Sequence, residues 1–135
     1  MLNKVVSYKD LIVWQKAMDF ADEVYKLTKL FPKEELYSLT NQVRRAAVSV
    51  PSNIAEGKDR HAIAEYLHFL SIAKGSLAEV ETQLLLAIRF GYISKAQSEK
   101  VFELREEISR MLVALRSKLS TLKPVTCNLK PKPNS

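Results

Sequence analysis

Glycine and cysteine are almost missing from this sequence, with three of the first and one of the second. The lone Cys127 rules out an internal disulfide framework. Neither a G-x-G-x-x-G turn nor a Walker phosphate loop is present, and no H-E-x-x-H occurs. The longest apolar run is LLLAI at 84–88, far short of the roughly 18 residues that suggest a membrane span. The opening MLNKVVSYKD has no apolar core of a signal peptide. No membrane partner is therefore expected, and a reducing, cytoplasmic setting is the default. Alternating runs of β-branched residues are also scarce, which turns the reading away from sheet.

What remains is ordinary material for a folded domain. The 135 residues suit one domain with a real core, 47% of them apolar and 27% charged. The formal charge is +6, from 21 Lys and Arg against 15 Asp and Glu. Lys123, Lys130 and Lys132 stand in a stretch without acids; without them 18 cations face 15 acids, a net +3 for the rest. The body is nearly balanced and the tail is basic, so a general affinity for polyanions is only weakly indicated.

Helical periodicity runs through most of the chain. From Asp10, a candidate N-cap, to Leu30 two apolar seams adjoin. Leu11, Trp14, Met18, Ala21 and Tyr25 make one; Val13, Ala17, Phe20, Val24 and Leu27 make the other. Core packing is the expected place for Trp14 and Tyr25. Pro32 breaks the pattern. A second helix is predicted from Ser38, burying Leu39, Val43, Ala46, Val50 and Ile54, kinked at Pro51 and stopped at Gly57. Asp59 would cap a third, from about Arg60 to Phe90. Its heptads are Ile63, Leu70, Leu77 and Leu84 beside Tyr66, Ala73, Val80 and Ala87. Phe69, Ile72, Leu86 and Phe90 fall on another face, so this helix should be covered from more than one side. Gly91 ends it, and Ser94 with Gln97 makes a capping box for a fourth helix with a seam of Val101, Leu104, Ile108, Met111 and Leu115. Short connections favour an all-α, antiparallel up-down-up-down four-helix bundle. The domain reading is an N-terminal extension at 1–9, the bundle at 10–120, and a disordered basic tail at 121–135.

Few side chains carry chemistry. Glu65 and His68 form an E-x-x-H, with His61 one turn earlier, but a carboxylate-bridged metal centre needs two such motifs and further glutamates. Solvated histidines are the simpler reading, and no metal or cofactor is expected. Ser71 and Lys74 have the S-x-x-K spacing without its companion motifs. The sequence does not read as an enzyme. Arg44, Arg45, Lys58 and Arg60 place four cations on the second helix and the turn after it. They could contact phosphates, or pair with Glu56, Glu79 or Glu81. No aromatic residues are interleaved with them, as single-stranded binding would favour. Ser52 and Asn53 follow Pro51, where freed carbonyls need donors, so local backbone capping suits both.

Three blocks, VWQKA, RRAAVSVPSNIAEG and GSLAEVETQL, together resemble the 23S ribosomal RNA intervening-sequence protein family, small bacterial four-helix-bundle proteins. The likeness runs over roughly residues 8–118. It makes Trp14, Pro51, Ser52, Asn53, Glu56 and Gly57, with the paired Arg44 and Arg45, signature positions without an assigned chemistry. Ser38, Lys58 and Ala62 depart from the family pattern. The family is similar to the accessory variability protein of diversity-generating retroelements, a basic homopentamer that binds a reverse transcriptase and nucleic acid. By that resemblance a homopentamer is the expected assembly.

The resulting expectation is a non-enzymatic oligomer associating with RNA or DNA, or a ribonucleoprotein, through phosphate contacts. The candidate contacts are Arg44, Arg45, Lys58, Arg60 and the tail lysines Lys123, Lys130 and Lys132. The alternative is an adaptor that docks on a partner enzyme and never touches nucleic acid.

Overall fold

The computed structural model describes residues 7–122, within which lie four long helices and no strand. They are α1 (Ile12–Thr28), α2 (Leu39–Lys58), α3 (Ile63–Arg89) and α4 (Glu99–Thr121). Short 3-10 turns at Tyr8–Asp10 and Lys33–Glu35 precede α1 and α2. Lys123, Lys130 and Lys132, and the disorder expected of the tail, fall outside the described residues.

Each helix packs on two neighbours in the cyclic order α1, α2, α3, α4, and no diagonal pair brings its backbones close. Across two of these seams the partner numbers fall as the first rise. Ser49 meets Ser76 at 2.8 Å and Gln42 meets Gln83 at 3.5 Å between α2 and α3. Lys16 meets Glu107 at 3.3 Å and Glu23 meets Lys100 at 4.0 Å between α1 and α4. That pattern is what neighbours of opposite direction produce. The core between them is filled by the Val13–Ala17–Phe20–Val24–Leu27 seam of α1 and by Val43, Val50 and Ile54 of α2. Leu70, Leu77, Val80 and Leu84 of α3 and Ile108 and Leu112 of α4 complete it.

The helix ends depart from expectation at several places. Asp10 does not cap α1. Ser7 caps the 3-10 turn instead, its Oγ accepting from the Lys9 N–H while the Asp10 carboxylate accepts from the Ser7 N–H. Ser38 holds the N-cap position of α2 without a side-chain bond; Glu35 Oε1 accepts from the Leu39 N–H in its place. The second helix does not stop at Gly57, which is a buried residue inside it, and Asp59 is its C-cap rather than the start of α3. The third helix begins three residues later than expected, at Ile63.

Gly91 does end α3. Its φ of 82° is the left-handed conformation, with the Gly91 N–H donating to the Ile88 carbonyl and the Tyr92 N–H to Ala87. These are the two bonds of a Schellman cap. The Ser94–Gln97 box also forms, at 3.0 and 2.8 Å, but it closes a turn at 95–98 and α4 follows at Glu99. The buried seam of α4 then turns to Leu112 and Leu119, leaving Met111 and Leu115 only partly covered.

α2 is continuous from Leu39 to Lys58 with a buried Pro51 inside it. Proline has no N–H, so the Ala47 carbonyl loses its usual helical donor. One turn away Asn53 Nδ2 donates to the Ser49 carbonyl and to Ser49 Oγ, both at 2.8 Å, and Ser76 Oγ donates to the same hydroxyl. This polar bridge ties the proline-bearing stretch to α3, which makes Asn53 an inter-helix as well as a local device.

Candidate functional site

The four cations singled out on α2 and the turn after it do not form one patch. Arg44 and Lys58 are 14 residues apart, about 21 Å along a helix. Arg44 lies against α1, its Nε donating to Thr28 Oγ1 at 2.8 Å and its guanidinium 4.6 Å from the centre of the Tyr25 ring. Arg60 bonds Glu56 at 2.6 Å and stacks 4.7 Å from the Phe69 ring centre. Arg45, exposed, and Lys58, half-buried, make no ion pair among the described residues. Glu81, another candidate partner for the arginines, pairs with Arg105 at 3.2 Å.

The signature residues divide into two groups. Gly57 brings α2 close to α3: a Cβ there would stand 3.0 Å from Phe69 Cβ and from Tyr66 Cδ1. Asn53 also ties α2 to α3, through Ser49 and Ser76, whereas Glu56 makes an exposed local pair with Arg60. Trp14 and Ser52 instead face an open groove.

That groove runs between α1 and α2, about 480 Å³ in volume, with Tyr8, Trp14, Met18, Tyr25, Val48 and Pro51 among its walls. The Trp14 ring is held by an edge contact with Tyr8 at 5.2 Å. Met18 is 44% and Tyr25 42% exposed. This corrects the expectation of core packing for Tyr25, with Met18 of the same seam; Leu11, Trp14 and Ala21 of that seam are half-buried against the core. The signal was in the sequence, since a helix with two neighbours in a small bundle has no third element to cover a stripe that wide.

A second groove of about 770 Å³ lies across the bundle between α3 and α4, with Leu85, Ile88, Arg89, Lys95 and Phe102 in its lining. It opens near the end of the bundle where α1 hands over to α2 and α3 to α4. There Phe31 packs on Tyr92 at 5.7 Å, Phe90 on Tyr92 at 5.6 Å, and the Tyr92 hydroxyl donates to Glu35 Oε2 at 2.6 Å. That bond holds the Glu35 carboxyl below its ordinary value, helped by the Leu39 N–H. The same bond is the main cause holding the Tyr92 phenol above its own. Periodicity gave no hint of this junction, because its residues sit in loops.

His61, Glu65 and His68 are all exposed at the start of α3 or just before it. Among the described residues no group of three or more His, Cys, Asp or Glu is placed to hold a metal ion. No helix among them is long and apolar enough to cross a membrane.

The architecture has solved relatives. A crystal structure of a protein of unknown function from the S23 ribosomal protein family of Bacteroides thetaiotaomicron matches with a TM-score of 0.72 and 27% identity. The match covers 78% of this chain and 98% of that one. No curated protein matches the chain. The family model described as 23S rRNA-intervening sequence protein matches residues 9–114, the four helices short of the last turns of α4. With the bundle, the buried Pro51 and the Gly57 crossing in place, the chain belongs to the 23S rRNA-intervening sequence protein family.

Proposed function

We propose that this protein is non-enzymatic and acts by docking, first with copies of itself. The observation that carries the reading is the α1–α2 groove, where Met18, Tyr25 and Val48 keep large apolar surface in water beside a half-buried Trp14. Such surface is characteristic of interaction sites on small soluble domains. The α3–α4 groove supplies a second face, with Leu85 50% exposed. By resemblance to the accessory variability protein, the assembly is a ring of five. Static light scattering at micromolar concentration checks this: a mass several times 15.4 kDa is expected, and a monomer overturns it.

A second reading, association with RNA or DNA through phosphates, is favoured by the +6 charge and by the exposed Arg45, which no ion pair among the described residues occupies. Anisotropy of a labelled RNA across a salt series tests it, using the full chain and a version ending at Leu122. Affinity that falls with salt in both versions supports a site on the bundle. Binding by the full chain alone assigns it to Lys123, Lys130 and Lys132. Failure of both leaves the docking reading, with a partner enzyme as the alternative occupant of the grooves.

A further inference from the structure

Two loops meet at one end of the bundle, and they expose aromatic rings beside exposed cations. Tyr37, in the connection from α1 to α2, is 91% exposed, and Phe90, at the end of α3, is 56% exposed. The contacts that join them are short. Phe90 packs on Tyr92, Tyr92 bonds Glu35, and Glu35 lies two residues before Tyr37. Around this junction stand Lys29, Lys33, Arg89 and Lys95, all exposed and none in an ion pair among the described residues. The acids of the same two connections are Glu34 and Glu35, and Glu35 is occupied by the Tyr92 hydroxyl and the Leu39 N–H. Arg89 and Lys95 also line the 770 Å³ groove, together with Glu81 and Glu99, the first of which pairs with Arg105.

We infer that this end of the bundle is a binding site for single-stranded nucleic acid, with bases stacking on Tyr37 and Phe90 and phosphates held by Lys29, Lys33, Arg89 and Lys95. The inference rests on the nucleic-acid reading above and gives it a location other than Arg44 and Arg60, which are already engaged. Exposed aromatic faces interleaved with cations suit unpaired bases, whose rings are free to stack; in a duplex the faces are hidden. The Phe90–Tyr92 edge contact and the Tyr92–Glu35 bond fix the platform before a ligand arrives, which lowers the ordering cost of binding.

The test is fluorescence anisotropy of a labelled oligouridylate of about 20 nucleotides, alone and annealed to its complement, with the full chain. The single strand should bind more tightly than the duplex by about tenfold. Tyr37→Ala with Phe90→Ala should weaken it by about tenfold or more. Lys29→Gln with Lys33→Gln should flatten the log–log salt slope by about 1.4. Tyr37→Ala alone touches no packed ring, so it reports on binding even if the Phe90 change disturbs the fold. Wild-type-like binding by the aromatic variants, with an unchanged salt slope in the lysine variant, overturns the site while leaving nucleic-acid association elsewhere on the chain. No binding by the wild type overturns both. Co-sedimentation with phosphatidylglycerol vesicles but no oligonucleotide binding reassigns the patch to an anionic lipid surface and also overturns the proposal.

Discussion

Gly57 and Gly75 both lie inside helices, yet their surroundings make opposite demands. A Cβ on Gly57 would press to 3.0 Å on Phe69 Cβ and to 3.2 Å on the Tyr66 carbonyl, atoms fixed to the α3 backbone. Gly57→Ala should therefore destabilise the fold by about 1–3 kcal/mol, overpacking outweighing the gain in helix propensity. Gly75 has nothing within 4 Å of such a Cβ. Gly75→Ala should stabilise by about 0.5–1 kcal/mol, through propensity alone. Urea unfolding of the two variants checks both signs. Glu35 makes a pH prediction at the same scale. Its pKa is depressed in the folded state, first by the Tyr92 hydroxyl, so its stabilising contribution is present above the ordinary value of 4.5. The contribution is lost as pH falls through the depressed folded value. Tyr92→Phe removes the leading cause. The stability gap between wild type and Tyr92→Phe should thus be full near neutrality and shrink as pH drops below 4.5, read by denaturant melts at several pH values. A gap that widens in acid would contradict the assignment.

At the scale of the element, α2 poses the sharpest conflict between local rule and tertiary context. Proline in a helix interior costs about 3 kcal/mol through the lost hydrogen bond and the clash with the preceding turn. Pro51 is the thirteenth residue of twenty, and it is buried. Pro51→Ala restores the N–H facing the Ala47 carbonyl but removes two ring methylenes from the core, about 0.8 kcal/mol each. The expected net is a gain of about 1 kcal/mol, seen as a higher urea midpoint. A loss would mean that the proline ring packs better than a helix without it. The positions of the four helices were legible because the apolar spacing of Val13–Leu27, Leu70–Ala87 and Val101–Ile108 spans several turns. The ends were less legible. Asp10, Ser38 and Asp59 have capping chemistry, but so has Ser7, and which oxygen meets which N–H depends on the path of the loop. Gly57 read as a stop because glycine at a helix end and glycine at a helix crossing look alike in one dimension. Of the candidate site, the cations were visible and so was Glu56, the partner of Arg60, but the partner of Arg44 was not: Thr28 lies 16 residues from it. The platform of Tyr37 and Phe90 was invisible for the same reason, since 53 residues separate its rings.

For the whole molecule, the cyclic order of the helices decides what kind of assembly the grooves permit. The α1–α2 and α3–α4 grooves lie on opposite sides of the bundle, because the α1 backbone does not come close to that of α3, nor the α2 backbone to that of α4. Two different apolar faces pointing apart favour a heterologous contact, face to opposite face. Such contacts repeat into a ring when the rotation closes. A two-fold dimer would use one face twice and leave the other bare. Met18→Glu spoils the first face and Leu85→Glu the second, and both side chains are exposed in the single chain, so folding should survive. In a heterologous ring each variant alone can no longer close the ring and should be a monomer by light scattering. Each also keeps the face that the other has lost. An equimolar mixture should therefore form a dimer of one Met18→Glu and one Leu85→Glu copy, and should stop there. In a two-fold assembly one variant would keep the wild-type mass, the other would be monomeric, and mixing would create nothing new. The mixture thus separates the two geometries in one measurement, without a structure of the assembly.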